Sequence, residues 1–433
     1  MLKTVARDRR KVSPIHKQRY VDFLNKEPPV NYDQWILFAQ DKACPTDPRN
    51  YRQIYKDLDP WIRKGRVEAK DVVLLAKSLK YTKTISFVYG RFWGGFQEIL
   101  KPIQQLLPWN KNFKFMINMF DEPLLLPADN DSQAKYYSPD DLFTHNSCLR
   151  NKYDTAKNET NIDPITGQAP LRQQHGFFMH PDSFVTINHQ AAPVFSQSKL
   201  DCFLDVLMPL SYHIDIAKNP VIDSVPWEDK KSVVFWRGST TGGSYRDGAP
   251  WEKYPRTRLM DWGLEYSKKH PGSTFDAGNG ETPPVVNGLS VDVGFNSMQQ
   301  SDTIVSNSVR EKYGFKKGLS FDETKKFKYL LVLDGNTWPS RLQSYLQTNS
   351  VILYNGIFTD FFNWKLIPMV HYVPFRLDYS DLEEKLEWLM KNDDKALEIS
   401  ENAKKLMRQV STLDQLQCYT GLLLLEYSNL YSN

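Results

Sequence analysis

Through residues 18–108 the apolar positions recur mostly at helical spacing. Trp35, Leu37 and Phe38 fall on one face ahead of Asp41. Val72, Val73, Leu74, Leu75 and Leu79 mark a second amphipathic stretch over 67–79. Ile99, Leu100, Ile103, Leu106 and Leu107 mark a third over 96–107, which Pro108 ends. The pattern then changes. Residues 113–120 form an apolar run of strand length that stops at Asp121-Glu122-Pro123. Helix, turn, strand and then an acid at the strand's carboxyl end is a ligand-binding arrangement in open α/β sheets. Residues 124–175 are polar and read as a long loop or lid. A second short strand is expected at 193–196 and a helix at 200–210.

A boundary falls between Tyr212 and Lys231, where Pro220, Pro226 and several charges interrupt any period. Beyond it, strands are predicted at 232–236, 327–333 and 351–354. Helices are predicted at 254–269, 340–347, 382–390, 396–410 and 417–430. Strand alternating with helix implies a parallel sheet and an α/β fold class.

The chain has 433 residues, which suits two or three domains. Hydrophobic residues at 41% and charged residues at 24% exclude a collagen-like, mucin-like or wholly disordered chain. Aromatics at 13% suit stacking surfaces as well as a core. A net charge of +4 is too small to mark a nucleic-acid partner, and the basic excess in 1–17 reads as a frayed start. No apolar run reaches spanning length and no secretory signal stands at Met1, so a soluble chain is expected, with any membrane anchor outside this sequence. Cys44, Cys148, Cys202 and Cys418 form no CxxC pair, which argues against zinc and leaves two disulfides or four thiols open. Sequons at Asn130 and Asn158 lean towards a secretory compartment.

Three places could carry chemistry. Arg237-Gly238-Ser239-Thr240-Thr241-Gly242-Gly243 follows a strand; glycines and hydroxyls there let N–H groups approach an anion, and Arg237 offers a fork for phosphate. A Gly-rich turn with a surface Arg is the plain alternative. Asp334-Gly335-Asn336-Thr337-Trp338-Pro339-Ser340-Arg341 also follows a strand. Ser340 is placed to cap the next helix, and Arg341 in its first turn conflicts with the helix dipole unless an anion sits nearby. Asp121 beside an apolar strand can be driven to a higher pKa and act as a general base; Glu122 competes for that role, and a turn-forming Asp before Pro123 is the plainer reading. His175 and His371 default to core histidines, and Asp129-Asn130-Asp131 matches a metal-holding DxD spacing only formally.

Taken in order, these islands resemble glycosyltransferase family 90, which includes Rumi-type protein O-glucosyltransferases and fungal capsule-associated xylosyltransferases. The resemblance runs from about Tyr32 to Ser428. It rests on 51–61 as the opening segment, Phe115 to Pro123 as a strand ending in Asp-x-Pro, and Gln174-His175-Gly176-Phe177-Phe178. Pro193-Val194-Phe195-Ser196-Gln197-Ser198-Lys199, Phe235 to Thr240, and Lys328 through Asn336 to Arg341 complete it. Trp236 stands between Phe235 and Arg237 where relatives read Phe-Arg, and Pro339 where fungal relatives more often have Ser.

The resemblance implies a GT-B architecture: two Rossmann-like domains facing across a cleft, with a helical N-terminal extension and a C-terminal helix crossing back. The division expected is 1–215 on the acceptor side, 216–410 binding the donor, and 411–433 returning. The implied activity is inverting transfer of xylose or glucose from a UDP-sugar to a glycan or protein hydroxyl, in a monomer. Asp121 would be the base. Arg237, Gly238, Ser239, Thr240, Asp334, Gly335, Ser340, Arg341 and Phe295 would lie on the donor side. Glu122, His175, Phe177, Phe195 and Ser196 would line the acceptor side or cleft. No cofactor and no metal is expected, although a divalent ion is compatible. A Cys44–Cys418 disulfide and a Golgi or endoplasmic-reticulum lumen are implied as well. A binding protein of the same fold without turnover is the alternative. A pyridoxal-dependent phosphorylase would need a Schiff-base lysine that no motif marks.

Overall fold

The computed structural model describes residues 11–79, 82–86, 96–107, 113–127, 143–144, 146–154, 167, 169–179, 187–188, 192–284 and 287–432. Two main sheets organise them. The first runs in the order β1 (Thr82–Ser86), β2 (Lys114–Asn118), β3 (Val194–Ser196) and β4 (Val206–Leu207). β1 is antiparallel to β2, and β2, β3 and β4 are parallel. The second contains β5 (Lys231–Ser239), β6 (Ser290–Ser297), β7 (Phe327–Val332), β8 (Val351–Tyr354) and β9 (Val373–Pro374). It is parallel throughout, in the order β6-β5-β7-β8-β9. The first-entered strand β5 thus has β6 on one side and β7 on the other. In such sheets the crevice beyond the carboxyl ends of the two strands flanking this reversal takes ligands.

Alternation explains the second sheet. Val233, Phe235, Leu330, Val332, Ile352 and Tyr354 pack on one face. Val234, Trp236, Tyr329, Leu331, Val351 and Leu353 pack on the other. A period of two with both faces apolar is what a doubly covered parallel sheet requires. Phe327 breaks the alternation, and the register between β5 and β7 shifts there. The first face belongs to the same core as β2, β3 and the N-terminal helices, so one packed interior joins the two sheets.

The helix Leu413–Leu430 is buried over most of its length and packs against Gln97–Ile103, Tyr32–Asp41, Arg52–Lys64 and Ser211–Lys218. Polar contacts fix it there. Trp35 Nε1 donates to the Cys418 carbonyl at 3.0 Å, and Tyr20 Oη donates to buried Glu426 at 2.7 Å. Tyr431–Ser432 then pairs with Val67–Glu68. Cys44–Cys418 is a disulfide across 374 residues, the pairing the resemblance implied. Cys148–Cys202 is a second, so the four-thiol alternative falls.

Several expectations need correction. Residues 200–210 are a turn followed by β4, not a helix. A short apolar run buried on all sides has no period that separates strand from helix. Here Asp205 decides: it accepts the N–H groups of Leu124 and Leu125 and the Ser196 hydroxyl. The helical reading of 18–108 misses β1, and the stretch over 67–79 opens as a strand before the helix Ala69–Ser78. The helix expected over 96–107 is Gln97–Ile103 followed by a 3-10 turn at Gln104–Leu106. The helix expected at 340–347 is five residues, Arg341–Tyr345, and the Ser340 side chain makes no cap. β6 and the helix Thr303–Tyr313 are elements the sequence pattern does not reveal. Parts of 124–175 are structured, with Leu125–Leu126 paired to Ile187–Asn188 and a helix at Ser147–Tyr153. Pro108, both sequons, Asp129-Asn130-Asp131 and residues 1–10 lie outside the described residues.

These contacts generate two stability predictions. Burial pushes Asp205 up to about 6 despite its hydrogen bonds. The folded chain holds that proton more tightly than the unfolded chain, so this group's contribution falls as pH rises between about 4 and 6. Asp205→Ala orphans three buried donors and is expected to cost about 3–5 kcal/mol, read by denaturant melts. Cys44→Ser opens the longest covalent loop and should cost up to about 5 kcal/mol; an unchanged melt would show that the loop contributes nothing.

Candidate active site

β2 ends at Asn118, whose side chain shapes the turn beyond the strand. Its amide donates to the Glu122 carbonyl at 2.7 Å, and its Oδ1 accepts from the Phe120 N–H at 2.9 Å. This tight turn leaves Asp121 solvent-exposed while the Glu122 side chain is buried. Gln197, just after β3, donates to Asp121 Oδ1 at 3.2 Å. Thr337, after β7, donates to the Asp121 carbonyl at 3.0 Å. Asn336 also hydrogen-bonds the Asp121 carboxylate and accepts the Gly242 N–H at 3.2 Å. The carboxyl ends of β2, β3, β5 and β7 therefore meet around one carboxylate. Solvent reaches it from one side, but the surrounding protein desolvates it enough to push its pKa up, with Gln197 and Asn336 pulling it down.

Arginines occupy the donor-side edge. Arg341 is half-buried and donates to the Arg237 carbonyl. Among the described residues no carboxylate pairs with it. Arg256, in the first turn of the helix Pro255–Lys269, is buried and donates to the carbonyls of Asp334 (3.0 Å) and Ser239 (2.8 Å). Its pKa is pushed down to about 10, by burial first and by the neighbouring Arg341 second. Two guanidinium groups thus sit side by side held mainly by neutral carbonyls, at the reversal between β5 and β7. An anion placed there would relieve both the desolvation and the repulsion. Gly335 is the residue that fits beside them, since a Cβ there would lie 2.9 Å from an Arg256 nitrogen.

Arg237 is placed differently. It is 4% exposed, and its five N–H groups are all used: by the carbonyls of Lys317, Trp236 and Asp292, and by the carboxylates of Asp276 and Asp292. It reaches the site through its backbone carbonyl, which receives Arg341. Thr240 is also committed, exchanging hydrogen bonds with Gln299. Gly238 packs over the Trp236 ring and Phe295 lies in the second core, away from the edge. Ser239 and Ser340 are half-buried at the edge itself. Asp334 is buried and accepts from Ile357 and Phe358, shaping the turn after β8.

Of the other acceptor-side candidates, His175, Phe177, Phe195 and Ser196 are buried in the interior. His175 is fully buried; its Nδ1 accepts from Phe177, and its Nε2 faces Asp334 at 3.6 Å. Phe177 and Phe195 are core rings, and Ser196 is consumed by Asp205. His371 closes a turn by accepting from Ile367. The His175 segment still matters, because a Cβ on Gly176 would lie 1.8 Å from the Gly242 carbonyl oxygen. The bare glycine lets the first half of the chain close on the loop after β5.

The model of glycosyl transferase family 90 matches residues 179–433. The chain belongs to glycosyltransferase family 90. This family 90 chain is similar to human protein O-glucosyltransferase 1, 26% identical over 263 residues, covering 56% of the chain and 58% of the relative. It is similar also to protein O-glucosyltransferase 2 of Danio rerio, 35% identical over 115 residues, covering 26% and 23%. Protein O-glucosyltransferase 1 of Rattus norvegicus is 27% identical over 208 residues, covering 48% and 44%. The matched part is in each case less than two thirds of the relative's own length. The family match includes Arg237, Arg256 and Arg341 and begins after Asp121.

Sequence reasoning missed Gln197, Thr337 and Arg256 as parts of this family 90 site. Arg256 had a signal: it follows Pro255 in the first turn of a helix with no acid there, the same dipole conflict that singled out Arg341. Gln197 and Thr337 lay inside motif segments that sequence reasoning marked, but nothing in those segments singled out either side chain. The geometry separates two arginine variants. Arg237→Ala strands two buried carboxylates and is expected to cost about 3–5 kcal/mol of stability. Arg341→Ala removes one of two like charges and should leave the melting temperature unchanged or raise it. Equal melting losses for both would show that the two arginines have the same structural role.

Proposed function

We propose that this family 90 chain is an inverting glycosyltransferase that moves a sugar from a UDP-sugar to a hydroxyl of a protein or glycan acceptor. The observation that carries the reading is one arrangement: an accessible, desolvated Asp121 held on the edge where Arg256 and Arg341 are held by carbonyls and, among the described residues, make no ion pair with a carboxylate. Asp121 takes the proton of the acceptor hydroxyl. That oxygen attacks the anomeric carbon from the face opposite UDP, the carbon–oxygen bond to the diphosphate breaks, and the electron pair leaves with UDP. Arg256 and Arg341 offset the charge growing on the diphosphate, where preorganised donors contribute most. Arg237 acts from behind by fixing the strand whose carbonyl holds Arg341. Arginine charge on the leaving group makes a divalent metal dispensable in this reading.

The architecture proposed is GT-B, with 1–215 on the acceptor side, 216–410 on the donor side and 411–433 returning to the first. The parallel five-stranded sheet and the meeting of strand ends support it. The names of the relatives put glucose ahead of xylose as donor sugar and a protein ahead of a glycan as acceptor. Two disulfides fit an oxidising, secretory lumen, Golgi or endoplasmic reticulum. The chain is proposed to act as a monomer. A binding protein without turnover would have no use for a desolvated, accessible carboxylate at this edge.

The test is UDP release and product stereochemistry across UDP-glucose, UDP-xylose and other UDP-sugars, with and without EDTA. Asp121→Asn should abolish transfer while leaving UDP binding intact. Arg341→Ala and Arg256→Ala should each lower kcat/KM by about 100-fold or more. Because Asp121 is pushed up, activity should fall with decreasing pH along a limb lying above that of an ordinary aspartate, about 3.9. Full activity in Asp121→Asn would overturn the base assignment. A retained anomeric configuration would overturn inversion.

A further inference from the structure

The turn over 335–337 grips Asp121 by both main chain and side chain. The Thr337 hydroxyl donates to the Asp121 carbonyl at 3.0 Å, and Asn336 hydrogen-bonds the Asp121 carboxylate. The Gly335 N–H donates to the Thr337 carbonyl at 2.9 Å, which closes the turn with Asn336 at its tip. Trp338, stacked on the buried His213, anchors the turn from the interior.

A second partner fixes the orientation of the Asn336 amide. Gly242, in the loop after β5, donates its N–H to Asn336 Oδ1 at 3.2 Å. An N–H can only donate, and an ionised carboxylate can only accept. Both partners therefore demand the same orientation, with the amide oxygen towards Gly242 and the amino group towards Asp121. The loop itself lies close: Gly242 has a φ of +95°, and a Cβ there would sit 3.0 Å from the Gly335 carbonyl oxygen. One side chain thus joins the carboxylate beyond β2 to the glycine loop beyond β5, in the segment that leads into Arg341.

We propose that Asn336 is a positioning residue, which fixes the Asp121 carboxylate through its amino group to the edge carrying Arg256 and Arg341. The inference rests on the reading of Asp121 as the base. The donated N–H favours the ionised carboxylate over the protonated acid, so the base is kept ready to take a proton. Among the described residues no cation makes an ion pair with Asp121 to do this instead. Glu122 is buried, Lys199 pairs with Asp57, His175 faces Asp334, and Arg256 and Arg341 are held by carbonyls. The amide of Gln197 is the other donor to the carboxylate.

The first measurement is the pH profile of kcat/KM for the wild type, Asn336→Ala and Asn336→Asp. Asn336→Ala should lower kcat/KM on the acidic limb by about tenfold, the effect of losing one hydrogen bond to a charged group, and move the limb to higher pH. Asn336→Asp keeps an oxygen for Gly242 but sets a like charge beside Asp121, so its limb should lie higher still. A merely structural role would lower kcat/KM equally at every pH, and unshifted limbs in both variants would overturn the inference.

The second measurement needs no turnover. A carboxylate whose folded pKa is raised loses stability as pH rises, and Asn336→Ala raises it further. Denaturant melts from about pH 4 to 7 should therefore show a penalty for Asn336→Ala that grows with pH and becomes independent of pH in an Asp121→Asn background. A pH dependence that persists in that background, or is absent from both, would overturn the role of Asn336 even where Asp121→Asn abolishes transfer. Full activity in Asp121→Asn with the expected melts would instead overturn the base reading and leave Asn336 as the group that holds the carboxylate.

Discussion

A buried guanidinium with five donors needs five acceptors, and meeting that demand at Arg237 organises the second half of this chain. The acceptors come from β5 itself, from β6 through Asp292, and from the turns carrying Asp276 and Lys317. Lys316 joins from the same turn, with its ammonium 2.8 Å from Asp292. A charge this deeply buried is tolerable only when every partner is present. The β5–β6 pairing and the two turns beyond it are therefore fixed as a unit. The carbonyl of Arg237 emerges from that unit at a fixed place, and Arg341 is received there.

The candidate site uses the opposite condition. Arg341 and Arg256 are held close together by carbonyls rather than carboxylates. One arginine is electrostatically complete and rigid; the other two are left wanting an anion. Trp338, stacked on the buried His213 at 4.5 Å, anchors the segment between Asp334 and Arg341 from below. Asn336 and Thr337 in that segment reach Asp121. Rigid support behind and unmet charge in front is how a fold preorganises a site for a leaving group.

The alternation in β5, β7 and β8 was legible because a strand covered on both faces leaves an unbroken apolar run bounded by polar turns. The long helices after Leu382 were legible from their period. β1 and β4 were not, since strands of two to five residues inside helical or featureless apolar sequence carry no period of their own. Asp205 illustrates the limit. Nothing near it in sequence reveals that its carboxylate would gather the amides of Leu124 and Leu125, some 80 residues away.

The sequence by itself determined the class of fold, the strand ends bearing Asp121, Arg237 and Arg341, and the family resemblance those motifs carry. These are local properties, readable because strand period and turn chemistry act over a few residues. Only the tertiary structure decided which arginine faces the edge. Arg237 and Arg341 look alike in sequence, each following a strand and each placed to meet a phosphate. The first turned inward because two aspartates, Asp276 and Asp292, lie within reach of its fork. The second stayed at the edge because no acid among the described residues pairs with it, and Arg256 joined it from a helix start 85 residues earlier in the chain. Charge balance in a buried place depends on what the fold brings near, and that is settled by packing across the whole chain.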